Sequence, residues 1–174
     1  ELAALGVTNI EADHLDYYRT VTALEEAFAQ VASGTKGPVV GCIDDPGVRR
    51  LAERATVIGY GTSDDAAWRV SEVDLGPTTS FTLSRSGRSH RVQLRHPGLH
   101  VVMNAAGVLA LLGEAGFDLE CAIAGLGEFG GVRRRFEVKA KIGGVSIVDD
   151  YAHHPTEVAS AVDAARTMTT GRLS

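Results

Sequence analysis

The sequence has 174 residues and a formal net charge of −5, with 44% hydrophobic and 22% charged residues. A chain of this length can bury one good core or two small ones. The acidic balance does not indicate a nucleic-acid surface. No apolar run reaches the roughly 18–20 residues that cross a bilayer. These totals predict a globular protein with neither a nucleic acid nor a membrane as partner.

The cysteines and the two ends bear on the compartment and on completeness. Cys42 and Cys121 lie far apart in apolar runs without metal-like spacing, and we interpret both as buried thiols. No signal peptide is recognisable at the start, so a reducing, cytoplasmic location is expected. The chain starts at Glu1, just before a predicted strand, and stops at Ser174, where a further αβ unit is expected. We therefore interpret it as a piece of a longer protein.

The first sixty residues alternate between predicted strands and helices. Strands are predicted over residues 3–10, 38–43 and 56–60. An amphipathic helix is predicted over residues 21–31, and a second helix is capped by Asp45. This alternation indicates a mostly parallel sheet with helices on its faces.

A different pattern begins near Ala67. Short strands over residues 69–75, 80–85 and 90–95, separated by Gly-Pro and Ser-Gly-Arg turns, predict an antiparallel meander. Two helices should follow, over residues 99–112 and from a cap at Asp118 to Leu126, and then a strand pair over residues 135–142 and 145–148. We place a domain boundary near Arg135, which divides the chain into units 1–135 and 136–174.

The segment DDYAHHPTE at residues 149–157 follows an apolar run that we interpret as a buried strand. Pro155 suits the first position of a helix and Glu157 its first turn. Because open α/β sheets bind ligands at the carboxyl ends of their strands, this turn is predicted to bind or catalyse. The alternative is that Asp149 and Asp150 only cap and solvate the helix start.

His14 is flanked by Asp13 and Asp16 at the end of a predicted strand. One histidine with nearby carboxylates offers a partial site for a divalent cation. The alternative is a histidine that only caps or forms hydrogen bonds.

His100 and Asn104 lie four residues apart near the start of a predicted helix, where free N–H groups suit a phosphate or a polar ring. The amide of Asn104 can donate and accept, as the edge of a purine requires, although it could equally be bonded to a neighbouring loop. In the basic run at residues 133–135, Arg133 and Arg134 are interpreted as solvated, and Arg135 is the better candidate for gripping a phosphate. No GxxxxGKS/T phosphate loop is present.

Four motifs, taken in order, resemble the Mur ligase family. They are TNIEADHLD at residues 8–16, PGLHVVMNA at 97–105, FGGVRRRF at 129–136 and DDYAHHPTE at 149–157. The last is most similar to the branch that joins L-alanine to UDP-N-acetylmuramate. The branch that recycles murein peptides also has a His-His-Pro turn and stays an alternative, as does a non-catalytic nucleotide-binding module. The resemblance implies the second half of an ATPase-type central domain and the start of a Rossmann-like C-terminal domain.

Such ligases of peptidoglycan synthesis use ATP and Mg²⁺ to convert a carboxylate into an acyl phosphate, which an amino group then attacks. The resemblance implies that His14 binds the metal, that Asn104, with His100 beside it, contacts adenine, that Arg135 contacts phosphate and that Asp150 contacts ribose. It places Tyr151 and His153 near the reacting carboxylate and the amino acid. Leu99 and Val101 depart from the usual basic residue and asparagine. Since the phosphate loop lies elsewhere in the family, we expect no turnover by these residues alone.

Overall fold

The computed structural model describes residues 2–76 and 78–174, so Pro77 of the predicted Gly-Pro turn lies outside the described residues. Six strands form one sheet whose spatial order follows the chain. They are β1 (Leu5–Val7), β2 (Val39–Cys42), β3 (Ile58–Gly61), β4 (Trp68–Asp74), β5 (Thr79–Arg85) and β6 (Arg88–Leu94). The first four strands pair in parallel, and β4, β5 and β6 pair antiparallel. The predicted parallel sheet and meander are thus confirmed as one continuous sheet.

Six helices accompany the strands. They are α1 (Leu15–Tyr18), α2 (Val21–Ser33), α3 (Pro46–Ala52), α4 (Leu99–Glu114), α5 (Leu119–Glu128) and α6 (Pro155–Met168). The predicted caps are confirmed: the Asp45 carboxylate accepts the backbone N–H of Val48 at 2.8 Å, and that of Asp118 accepts the N–H of Cys121 at 3.0 Å. Among the described residues, no helix is long and apolar enough to cross a membrane.

The main core lies between α4 and the sheet. Val102, Ala106 and Leu109 on one face of α4 are fully buried and pack in the same cluster as Tyr60 and Phe81. A smaller cluster joins α2 and α3 to the other side of the sheet. The two clusters fix the parallel strands between helical layers, which leaves the carboxyl end of β1 beside the start of α4.

A separate ribbon follows these layers. Strands β7 (Glu137–Ile142) and β8 (Val145–Asp149) pair antiparallel around Gly143 and Gly144, as predicted. The prediction that β8 is buried is wrong, because its Val145 and Ile147 side chains are exposed. Within the described residues this sheet has only two strands, so nothing covers the apolar side chains that made the run look like a core strand.

The cysteine prediction holds only in part. Both thiols are free, and Cys42 is buried within β2, but Cys121 is exposed. Helix α5 lies at the edge of the main core and contributes no fully buried residue, so an apolar run there does not bury every side chain.

Candidate functional site

A cleft of about 1090 Å³ lies between the carboxyl end of β1, the first turns of α4 and the loop that leads from β8 into α6. Six of the seven candidate residues line this cleft: His14, His100, Asn104, Arg135, Asp150 and His153. Tyr151 does not line it and is half exposed. The structure therefore brings together side chains from both ends of the chain, which no local pattern could have shown.

His14 stands at the β1 side of the cleft. Its backbone is left-handed, with φ 52° and ψ 33°, and its side chain is 75% exposed. Its Nε2 atom lies 3.5 Å from Oδ2 of Asp13, whose other oxygen accepts the His14 backbone N–H at 2.7 Å. The described residues contain no group of three or more side chains that could hold a metal ion. His14 and Asp13 therefore fit only an ion whose other ligands are phosphate oxygens and water, as is usual for Mg²⁺.

His100 and Asn104 face the cleft from α4. The Asn104 side chain is exposed and has no hydrogen-bond partner among residues 2–76 and 78–174, so it is not held by a neighbouring loop. The Nδ1 atom of His100 is buried and likewise has no partner in the described chain. Burial lowers the pKa of this imidazole, against the opposing pull of Asp150. His100 is therefore neutral near pH 7 and contributes polarity, not positive charge.

Asp150 is held rigidly at the end of β8. Its two carboxylate oxygens accept backbone N–H groups from Phe136 and Ala152, each at 2.9 Å, and its side chain is only 17% exposed. The alternative that Asp149 or Asp150 caps α6 is wrong. The cap is His154, whose Nδ1 accepts the Thr156 N–H, while Glu157 reaches back to the His154 backbone. This reciprocal arrangement is a capping box.

The arginines of residues 133–135 differ in their contacts. Nη1 of Arg135 lies 3.2 Å from Oε1 of Glu157 and 3.9 Å from Oδ1 of Asp150, so its guanidinium sits at the rim of the cleft. Arg134 is exposed, as interpreted, and its guanidinium also stacks 4.3 Å above the ring centroid of Tyr151. That stacking accounts for the position of Tyr151 outside the cleft.

Two functional candidates escaped the sequence prediction. Glu157 receives the Arg135 guanidinium as well as the N–H groups of His153 and His154, although the sequence indicated only that it lies in the first turn of a helix. Glu11 also lines the cleft, where it accepts a hydrogen bond from Thr156, 145 residues away. No signal in the sequence indicated that pair.

A mostly parallel α/β sheet with a polar cleft at its carboxyl edge defines a ligand-binding α/β protein. Residues 3–112 match the Mur ligase middle domain, and residues 134–174 match the Mur ligase glutamate ligase domain. The chain belongs to the Mur ligase family.

Similar proteins agree on the branch of the family. The chain is 46% identical over 170 residues to the UDP-N-acetylmuramate–L-alanine ligase of Clavibacter sepedonicus, covering 97% of this chain and 36% of that protein. It is 44% identical over 167 residues to the ligase of the same name from Thermobifida fusca, with 92% and 35% covered. The chain thus spans about a third of the length of the curated relatives it matches.

Solved structures show the same fold. The UDP-N-acetylmuramate-alanine ligase MurC from Thermotoga maritima matches with a TM-score of 0.82 and 27% identity, covering 95% of this chain and 38% of the other. The MurF ligase of the same organism, solved in complex with ADP, matches with a TM-score of 0.76 and 22% identity, covering 95% and 39%. The latter is a likeness of fold alone.

Proposed function

We propose that the chain forms part of a cytoplasmic, ATP-dependent ligase of peptidoglycan synthesis that joins L-alanine to UDP-N-acetylmuramate. The observation that carries this proposal is the shared cleft, in which candidate side chains from all four family motifs meet. The similar proteins from Clavibacter sepedonicus and Thermobifida fusca, which are named as ligases of this kind, also support the proposal. Residues 1–135 would be the later part of the central domain, and residues 136–174 the start of the C-terminal domain.

The nucleotide would lie between α4 and the end of β8. The free amide of Asn104 can donate to and accept from the edge of adenine. Each oxygen of Asp150 uses one lone pair for a backbone N–H and keeps another for a ribose hydroxyl. Arg135, at the rim, can move its guanidinium from Glu157 to a phosphate, for which its fork geometry is suited.

Mg²⁺, held by His14 with phosphate oxygens and water, would neutralise the charge of the phosphates. His153 has a different task. Its Nδ1 lies 3.0 Å from the carbonyl oxygen of Tyr151. Because a carbonyl oxygen can only accept, this hydrogen bond places the proton on Nδ1. The Nε2 atom is then an acceptor and can take a proton from the incoming amino group. Tyr151 contacts the His153 ring at a centroid distance of 5.3 Å and supports its orientation.

The proposed reaction is the one that the resemblance to the family implies. A carboxylate oxygen of UDP-N-acetylmuramate attacks the γ-phosphorus of ATP, which releases ADP and forms an acyl phosphate. The amino nitrogen of L-alanine then attacks the acyl carbon, phosphate leaves, and the nitrogen gives up its proton to His153. Holding the three reactants together would make these steps effectively unimolecular. Because no phosphate loop occurs in the 174 residues, they are expected not to turn over alone.

A chimera tests the proposal. The stretch of the Clavibacter sepedonicus ligase that aligns with this chain is replaced by this sequence, and L-alanine-dependent phosphate release from ATP is measured with UDP-N-acetylmuramate present. We expect turnover by the chimera and none by the 174-residue chain. A chimera that folds, as judged by its thermal unfolding, and binds nucleotide without turnover would favour a non-catalytic module. Alanine-dependent ATP hydrolysis by the isolated chain would also contradict the proposal.

A further inference from the structure

Helix α6 contacts the first unit at two places, near its start and in its second half. In the second half, Ala164 is fully buried against the start of α4, where a Cβ atom placed on Gly98 would come within 2.9 Å of the Ala164 methyl group. Near the start, the first turn of α6 reaches the loop after β1. The α4 contact is apolar and lies in the second half of the helix, eight residues after Thr156, so by itself it leaves the first turn free to pivot.

The contact at the first turn is a single carboxylate. The Thr156 hydroxyl donates to Oε2 of Glu11 at 2.6 Å, and Nδ1 of His154 lies 3.7 Å from the same oxygen. The other oxygen, Oε1, accepts from the side-chain amide of Asn9 at 2.7 Å. The two hydrogen bonds hold the pKa of Glu11 below its usual value. The carboxylate is thus oriented by its own loop and presented to α6.

We propose that Glu11 is a positioning residue that holds the first turn of α6, and His153 with it, over the cleft. Without the carboxylate, α6 keeps its Ala164 contact and swings about it, and the cleft opens on the β1 side. Glu11 therefore sets the balance between a closed and an open cleft. The inference goes beyond the proposed ligase activity and does not rest on it, because it concerns the geometry of the chain.

The test measures that geometry in the full 174-residue chain. Nitroxide labels are attached at Gln30→Cys on α2 and Asp163→Cys on α6, both exposed, in a Cys121→Ser background that leaves only buried Cys42. Pulsed EPR then gives the distribution of distances between the labels. We expect one narrow distance in the parent. Glu11→Ala and Thr156→Val should each raise the ratio of longer to parental distances roughly tenfold, as the loss of one charge-assisted hydrogen bond implies.

Two variants separate positioning from a general loss of structure. Thr156→Ser keeps the hydroxyl and should restore the parental distribution, whereas the nearly isosteric Thr156→Val should not. Glu26→Ala removes an exposed carboxylate from α2 and should leave the distances unchanged. Parental distances in both Glu11→Ala and Thr156→Val would overturn the proposal, and so would equal behaviour of the serine and valine variants. Neither result depends on whether the chimera turns over.

Discussion

The carboxylate of Asp150 accepts the backbone N–H of Phe136 at 2.9 Å and thereby ties the end of β8 to the residue that precedes β7. Phe136 is buried and has a left-handed backbone, with φ 48°. Such a conformation is costly for a large side chain and persists only when its surroundings hold it. Asp150 is therefore both a structural tie and a candidate ligand for the nucleotide.

This double role leads to a prediction for Asp150→Ala in the chimera. The KM for ATP should rise far more than the KM for L-alanine, because the ribose hydroxyls lose their acceptor while the amino-acid side of the cleft keeps its groups. Steady-state kinetics with each substrate varied in turn measures the two values. Equal changes in both would count against the ribose contact.

The same substitution should weaken the isolated chain. Removing the acceptor of two backbone N–H groups is expected to lower the free energy of unfolding by about 1–3 kcal/mol. Urea denaturation followed by circular dichroism gives this quantity. Asp149→Ala is the matched control, since neither the capping of α6 nor the Phe136 amide involves Asp149. It should lower the free energy of unfolding by clearly less than Asp150→Ala does.

Asn104→Leu should weaken nucleotide binding and leave the stability of the fold nearly unchanged. The side chain is exposed and has no hydrogen-bond partner in the described part of the chain, so unfolding should change by no more than about 0.5 kcal/mol. In the chimera, the KM for ATP should rise about tenfold, the value of one or two lost hydrogen bonds to adenine. A stable variant with an unaltered KM would remove Asn104 from the nucleotide site.

Glu157 should make the stability depend on pH. The pKa of the Glu157 carboxyl is lowered in the folded chain by hydrogen bonds from the backbone N–H of His153 and that of His154, and by the Arg135 guanidinium. A carboxyl whose pKa is lower in the folded than in the unfolded chain stabilises the fold at pH values above its unfolded pKa, near 4.3. That stabilisation is lost as the pH falls through the folded pKa. We expect the free energy of unfolding of the wild type to exceed that of Glu157→Gln by roughly 0.5–1 kcal/mol at pH 7.

The glutamine resembles the protonated acid, so the difference should shrink toward zero as the pH falls through the folded pKa of Glu157. Denaturant unfolding of both proteins from pH 3 to 7 measures it. The side chains of Arg135 and His153, which lie nearest to this carboxylate, are present in both proteins. A difference that stays constant over the whole range would show that the charge of Glu157 contributes nothing.

The thiols should differ in reactivity. Cys121 is exposed and should react within minutes with a chromogenic disulfide reagent, whereas Cys42 is buried, and burial raises the pKa of its thiol. The folded chain is expected to release one equivalent of chromophore and the denatured chain two. Cys121→Ser should abolish the fast reaction, and a second fast equivalent would show that β2 opens readily.

The sequence predicted best what depends on neighbouring residues. Periodicity and caps such as Asp45 and Asp118 placed the helices, because a cap is satisfied within its own turn. The burial of β8 was predicted wrongly, since an apolar run shows what could be buried and not what covers it. The hydrogen bond from Thr156 to Glu11 was not predictable, because it joins residues that lie 145 positions apart in the sequence.

The candidate site divides in the same way. The residue types at Asn104 and Asp150 were readable from their motifs, but their partners were not. That the Asn104 amide has no partner in the described residues, while each Asp150 oxygen accepts a backbone N–H, emerges only when β7, β8 and α4 are placed together. The stacking of Arg134, whose φ is 59°, on Tyr151 likewise joins residues that no single motif contains.

The most direct test of the account is a crystal structure of the chimera with Mg²⁺ and a non-hydrolysable ATP analogue. We expect adenine against Asn104, the ribose hydroxyls on Asp150 and the phosphates directed toward Arg135 and His14. A nucleotide bound outside this cleft, with Asn104 and Asp150 both facing solvent, would contradict the assignment of the cleft.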